Sequence, residues 1–211
     1  MANICCCKYV FYTDDGNTDE LTRLYKNLVT IIQPPEIKND YEPAWLGNVA
    51  TWHGIDWENT ISCRGSIELL GGYELGNDYF TLYSDTAWSP TDELWEAVVT
   101  QYEGVSFVYV AEEPGMGIFT NTDSEGIYLS EKYLIEIYGN APIPEGWYPD
   151  QDKPECLEIR EYFSDFEELA DYCTEFTGQE FSSIEELQSY FSDIFNEEDD
   201  TYASIHEFTA A

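Results

Sequence analysis

The sequence predicts an α+β fold: an antiparallel sheet in split βαβ order with helices on one face, followed by an acidic C-terminal helical extension. Three observations carry this expectation. Apolar residues follow period 2 and period 3.6 in the order β-α-β-β-α-β over roughly the first 137 residues. Gly139, Pro142, Pro144, Gly146, Pro149 and Pro154 then crowd one stretch, which breaks regular structure. Two short amphipathic, acidic segments follow, each opening on a helix-capping signature.

Ile4 to Tyr12 is rich in β-branched, aromatic and Cys side chains and predicts a strand. On it Cys5 and Cys7 share one face and Cys6 takes the other. After the turn Asp14 to Thr18, with Asn17 or Thr18 as cap, Leu21, Leu24, Tyr25, Leu28, Val29 and Ile32 form a helical stripe that stops at Pro34-Pro35. A short helix fits Trp45 to Ala50. Ser66 to Leu75 and Tyr79 to Ala87 predict an antiparallel pair turning at Gly76-Asn77-Asp78. Ser89-Pro90-Thr91-Asp92 predicts a helix start, with Ser89 as N-cap and Pro90 at the first helical position. Leu94, Trp95, Val98, Val99 and Tyr102 form its stripe and Gly104 closes it. Val105 to Ala111, Gly117 to Thr120 and Ile127 to Ile137 predict three more strands. This order is the ferredoxin-like plan with an added hairpin. The expected organisation is a ferredoxin-like α+β domain over 1–140, a Pro/Gly-rich linker over 141–155 and an acidic helical extension over 156–211.

Within that extension, Phe163-Ser164-Asp165-Phe166-Glu167-Glu168-Leu169 matches Phe181-Ser182-Ser183-Ile184-Glu185-Glu186-Leu187. Each copy predicts a capping box, Ser164 with Glu167 and Ser182 with Glu185. Common descent and the chance likeness of two capped acidic helices both account for the match. Phe166, Leu169, Ala170, Cys173 and Phe176 line one helix; Ile184, Leu187, Phe191 and Ile194 line the other.

Eight Lys+Arg stand against 43 Asp+Glu, a formal charge of −35. Aromatics at 16% and hydrophobics at 43% supply a core, so this is not the charge of a disordered chain. Nucleic-acid affinity comes largely from cationic side chains replacing counterions on phosphate, and anionic membranes attract cations. Direct nucleic-acid and membrane binding are therefore not expected. Met1-Ala2-Asn3 opens without a basic or apolar leader pattern, no run approaches a membrane span, and the six cysteines form no spaced disulfide framework or C-x-x-C pair. Free thiols in a reducing cytoplasm are the expectation.

Residues 145–211 carry 20 acids and two bases, Lys153 and Arg160; residues 1–144 carry 23 acids and six bases. The tail is thus about twice as dense in charge. Glu168, Asp171 and Glu175 are expected on the outer face of one helix and Glu186 and Asp193 on the other, with Glu197, Glu198, Asp199 and Asp200 adding a run of four. These nine are the candidate partner-binding residues. A compact chain of this length spans about 45 Å, over which a duplex carries on the order of 26 phosphates. A DNA-like electrostatic decoy is physically affordable, although acidic surfaces commonly serve only solubility.

Catalytic signals are weak. His53 and His206 have no partner motif, and no nucleophile elbow, P-loop, H-E-x-x-H or dinucleotide fingerprint occurs. Asp15, Asn17 and Asp19 have the alternate spacing of a calcium loop, but Glu20 stands where its glycine belongs and Lys26 where its glutamate belongs. Neither metal nor cofactor is expected. Trp45, Trp52, Trp57, Trp88 and Trp95 suit core and sheet edge better than a binding groove.

The opening Met1-Ala2-Asn3-Ile4-Cys5-Cys6, the segments Trp52-His53-Gly54-Ile55-Asp56-Trp57 and Asp85-Thr86-Ala87-Trp88-Ser89-Pro90, and Glu112-Glu113-Pro114-Gly115-Met116-Gly117 resemble the YubB-type ferredoxin-like family of plasmids, phages and other mobile elements. That family usually has Trp at the position of Ile4 and Asn at that of Cys7. The resemblance covers about residues 1–140, implies the fold and a mobile-element setting, and carries no activity. The tail resembles, loosely, the acidic helices of antirestriction proteins. Three functional readings follow: an accessory protein that occupies a basic protein surface, such as that of a nucleic-acid enzyme, as a DNA-mimicking anti-defence inhibitor; a generic interaction module with solubilising acidity; and a cation-dependent enzyme.

Overall fold

The structure, a computed structural model, describes residues 3–14, 16–33, 42–71, 73–139, 143–148, 156–195 and 201–210. It is mixed α+β, with two antiparallel sheets and five α-helices among those residues. The chain divides into units spanning 1–123 and 124–210, each with its own sheet and core.

The first unit runs β1 (Ile4–Thr13), α1 (Thr18–Ile32), α2 (Leu46–Trp52), β2 (Gly65–Leu69), β3 (Tyr79–Ala87), α3 (Asp92–Val99), β4 (Val105–Glu113) and β5 (Ile118–Asn121). Its sheet order is β2-β3-β1-β4-β5, with every neighbouring pair antiparallel. Period-2 alternation on β1 buries Cys5, Cys7, Tyr9 and Phe11 and leaves Cys6 exposed. Leu21, Leu24, Leu28 and Ile31 of α1 and Leu94, Trp95 and Val98 of α3 join those four residues in one core. The Trp95 ring lies 5.6 Å from that of Tyr9 and 5.1 Å from that of Phe11, separations at which aromatic pairs contribute beyond area burial.

Asn17 caps α1 by accepting from the Asp19 N–H, as expected, and β3 has its expected bounds. Two elements differ. The strand expected over 66–75 stops at Leu69, where Gly71 and Gly72 follow. Helix α3 starts at Asp92 with Thr91, not Ser89, in the cap position. The reason lies in the turn before it: Trp88 adopts φ 76°, and the Thr86 hydroxyl donates to the Ser89 carbonyl at 2.7 Å. The chain therefore reaches helical geometry only after Pro90.

The second unit contains β6 (Tyr133–Gly139), β7 (Leu157–Phe163), α4 (Phe166–Thr177), α5 (Ile184–Ile194) and β8 (Thr201–Glu207). Its sheet order is β7-β6-β8, with β6 antiparallel to both neighbours. This corrects two expectations. The strand expected over 127–137 forms as β6 and is the centre of the second sheet, not part of the first. Residues 156–211 are not a purely helical extension, because β7 and β8 flank the helix pair. Two amphipathic helices alone leave apolar stripes uncovered; Ile135, Ile137, Leu157, Ile159 and Ile205 supply the surface on which Leu169, Cys173, Phe176, Leu187 and Phe191 bury. Most of the expected linker lies outside the described residues. Of its described part, Trp147 is 2% exposed and belongs to this core.

Candidate interaction surface on the second unit

Both helices of the second unit start in the same way, which gives the near-repeat a physical meaning. Asp165 caps α4, its carboxylate accepting from the Glu168 N–H at 2.9 Å. Ser183 caps α5, its hydroxyl accepting from the Glu186 N–H at 3.3 Å. The glutamate three residues past each cap reaches back. Glu168 Oε2 accepts from the Ser164 N–H at 3.1 Å and its hydroxyl at 2.8 Å. Glu186 Oε2 accepts from the Ser182 N–H at 2.9 Å and its hydroxyl at 2.8 Å. The reciprocal cap is therefore present but one residue later than expected, because the caps are Asp165 and Ser183, and Glu168 and Glu186 replace Glu167 and Glu185 as the returning acids. The Ser182 amide and hydroxyl hold the Glu186 carboxyl below the usual carboxylate range.

Glu168, Asp171, Glu175, Glu186 and Asp193 are all exposed. Since Leu169, Ala170, Cys173 and Phe176 face the core, a 3.6-residue period places Asp171 and Glu175 on the outward face of α4. Leu187 and Phe191 fix the inward face of α5, which leaves Asp193 outward beside Glu186. The carboxylates of Asp171, Glu175 and Asp193 make no hydrogen bond or ion pair among the described residues. Two of the five described candidates thus hold helix ends, and three are available to a partner. Glu197, Glu198, Asp199 and Asp200 lie outside the described residues. Residues 164–195 contain nine acids and no Lys or Arg.

A fixed core supports this surface. Trp147 packs against Phe176, Phe195 and Phe191 at ring separations of 5.0, 5.7 and 5.9 Å and donates from Nε1 to the Tyr190 hydroxyl at 2.9 Å. The other face of the sheet carries a polar row. Glu136, 6% exposed, pairs with Arg160, which also donates to the Tyr162 hydroxyl at 2.7 Å. Tyr202 donates to Ser204 at 2.6 Å, and His206 Nε2 lies 2.9 Å from the same hydroxyl. The signal available in the sequence was the alternation Glu158-Arg160-Tyr162 and Tyr202-Ser204-His206.

The other sequence candidates resolve into structural roles. His53 Nδ1 lies 2.8 Å from the Val49 carbonyl and Nε2 lies 2.7 Å from the Tyr102 hydroxyl. The carbonyl fixes the proton on Nδ1, so Nε2 accepts from Tyr102, whose oxygen accepts from Asn27 at 2.8 Å. Arg23 lies over the Tyr102 ring, 4.1 Å from its centroid. Trp95 is in the core, and Trp45 and Trp57 meet edge to face at 4.8 Å; Trp52 and Trp88 are exposed. Burial pushes the Cys173 thiol up to about 12 and that of Cys63 to about 11, which removes both as thiolate nucleophiles at neutral pH. Among the described residues no three His, Cys, Asp or Glu side chains are grouped to hold a metal ion, and no helix is long and apolar enough to cross a membrane. In comparisons with known proteins, no family model, curated protein or solved structure matches the chain.

Proposed function

We propose that this chain is a non-enzymatic accessory protein of a mobile element that presents the outer faces of α4 and α5 to a basic protein surface, acting as a DNA-mimicking inhibitor of a host nucleic-acid enzyme. The observation that carries the reading is the set of outward carboxylates without a partner among the described residues, Asp171, Glu175 and Asp193, in a 32-residue stretch (164–195) without one base. Helices of 12 and 11 residues are about 18 and 16 Å long. Together they carry Glu167, Glu168, Asp171, Glu175, Glu185, Glu186 and Asp193, about one charge per 4.9 Å of summed helix length, against one per about 3.4 Å for a single DNA strand and 1.7 Å for a duplex. Such a surface raises association rates with a basic partner and loses that advantage as salt rises.

For the first unit, the order β4-β1-β3-β2 with α1 and α3 in one core supports the ferredoxin-like reading. The residues on which the resemblance to YubB-type proteins rests have local structural roles. Asn3 accepts from the Trp88 N–H at 3.0 Å, Glu113 caps the 3-10 turn Pro114–Met116, and a Cβ on Gly115 would overlap the Asn3 side chain. A second reading, in which the acidity only solubilises, is favoured by the bonds that tie Glu168 and Glu186 back to Ser164 and Ser182 at the helix starts.

The test is recovery of partners from host lysate at low salt, compared between the wild-type chain and a folded Asp171→Asn, Glu175→Gln, Asp193→Asn variant. The proposal expects a DNA-binding or DNA-cleaving enzyme that duplex DNA displaces and that the variant fails to hold. Equal recovery by both proteins supports the solubilising reading instead.

A further inference from the structure

In the first unit a cleft of about 190 Å³ lies at the start of α3, lined by Ile61, Ser62, Arg64 and the run Ala87–Glu93 apart from Trp88. Three features set it apart from an ordinary helix end. Arg64 forms no ion pair or side-chain hydrogen bond among the described residues, although Asp92 and Glu93 line the same cleft and the chain has only eight Lys+Arg. Thr91, 7% exposed, occupies the cap position yet makes no side-chain capping bond, and its buried Oγ1 has no hydrogen-bond partner among the described residues. The turn that builds the wall is strained: Trp88 is a non-glycine residue at φ 76°, 41% exposed, pinned by its N–H to the Asn3 carbonyl and by the Ala87 N–H to the Arg64 carbonyl at 2.9 Å. Conformations of this kind persist only where surrounding structure enforces them, and they gather at binding sites.

Opposite charges that share a cleft without meeting favour a ligand that carries both. We propose that this cleft binds a small zwitterion of the α-amino-acid class. Its carboxylate is taken by the Arg64 guanidinium and the Asp92 and Glu93 N–H groups at the start of α3; its ammonium is taken by the Asp92 and Glu93 carboxylates. A simple anion is disfavoured because the two carboxylates repel it, and a simple cation because Arg64 does. The volume admits a whole small amino acid. The site lies in the first unit and is independent of the acidic helices, so failure of either proposal leaves the other standing.

The test is a titration of the isotope-labelled full chain with glycine, followed through its backbone amide resonances, with acetate and methylammonium as separate single-charge probes. Glycine is expected to shift the Ser89, Asp92 and Glu93 amides saturably, and each single-charge probe to bind at least about tenfold more weakly. Arg64→Gln, an exposed substitution that leaves the core intact, is expected to weaken glycine by at least about tenfold. Absence of saturable shifts with glycine, equal binding of acetate, or undiminished binding by folded Arg64→Gln would each overturn the proposal.

Discussion

Replacing Trp147 by Ala separates a structural role from a linker role. Trp147 sits in a Pro- and Gly-rich stretch, where a connecting segment would place it in solvent and a substitution would change stability by less than about 0.5 kcal/mol. In the structure it is 2% exposed, its ring meets Phe176, Phe191 and Phe195, and its Nε1 donates to Tyr190. Truncating a buried aromatic to Ala costs about 3–5 kcal/mol, and the Tyr190 hydroxyl loses its donor as well. For a unit of this size each kcal/mol corresponds to about 4–8 °C, so its transition should fall by at least about 12 °C. Amide hydrogen exchange read on α4 and α5 reports this locally, and protection there should drop by two or more orders of magnitude for about 3 kcal/mol. Trp147→Phe keeps most of the ring packing and should lie between. Unchanged exchange in α4 and α5 of the Ala variant would refute the reasoning, because the hub of this core would then contribute nothing.

Further expectations concern the first unit and the thiols. Gly47→Ala puts a Cβ into the Trp45 ring and should cost about 1–3 kcal/mol in chemical denaturation, whereas Gly71→Ala, with open space around it, should be near neutral. Burial holds the His53 imidazole below its ordinary value, with the nearby Arg23 charge adding to this. The neutral ring is therefore the folded form, and its contribution is present above about pH 6.5 and lost as pH falls below that. The stability difference between wild type and His53→Gln should shrink on acidification through that window; a difference independent of pH would contradict the bond from Tyr102. A thiol reagent should modify exposed Cys6 and Cys156 in the native chain and reach buried Cys5, Cys7, Cys63 and Cys173 only on unfolding.

Much of the first unit was legible because its patterns are long. The i, i+3, i+4 stripe of α1 and the nine-residue alternation of β3 leave little choice of element or face. The helix start at Asp92 was misplaced because Ser89-Pro90 satisfies the local rule for a cap, while the left-handed Trp88 before it and the hydroxyl bond of Thr86 are tertiary facts. β7 and β8 escaped for a different reason. β7 turns Leu157, Ile159 and Phe163 inward, with Glu161 breaking the row, and β8 only Ala203 and Ile205, too few for periodicity to register among so many acids. The acids of the candidate surface were legible as charge, but the use of Glu168 and Glu186 depended on where the caps fell. A shift of one residue turned two prospective ligands of a partner into parts of the helix ends.

The decisive measurement is the response of the labelled chain to an arginine-rich peptide, followed carboxylate by carboxylate. The Asp171, Glu175 and Asp193 side chains should respond first and saturate together, with a midpoint that moves steeply with salt. A response spread evenly over the exposed acids of both units would contradict it, and would leave the charge of α4 and α5 no different in kind from that elsewhere on the molecule.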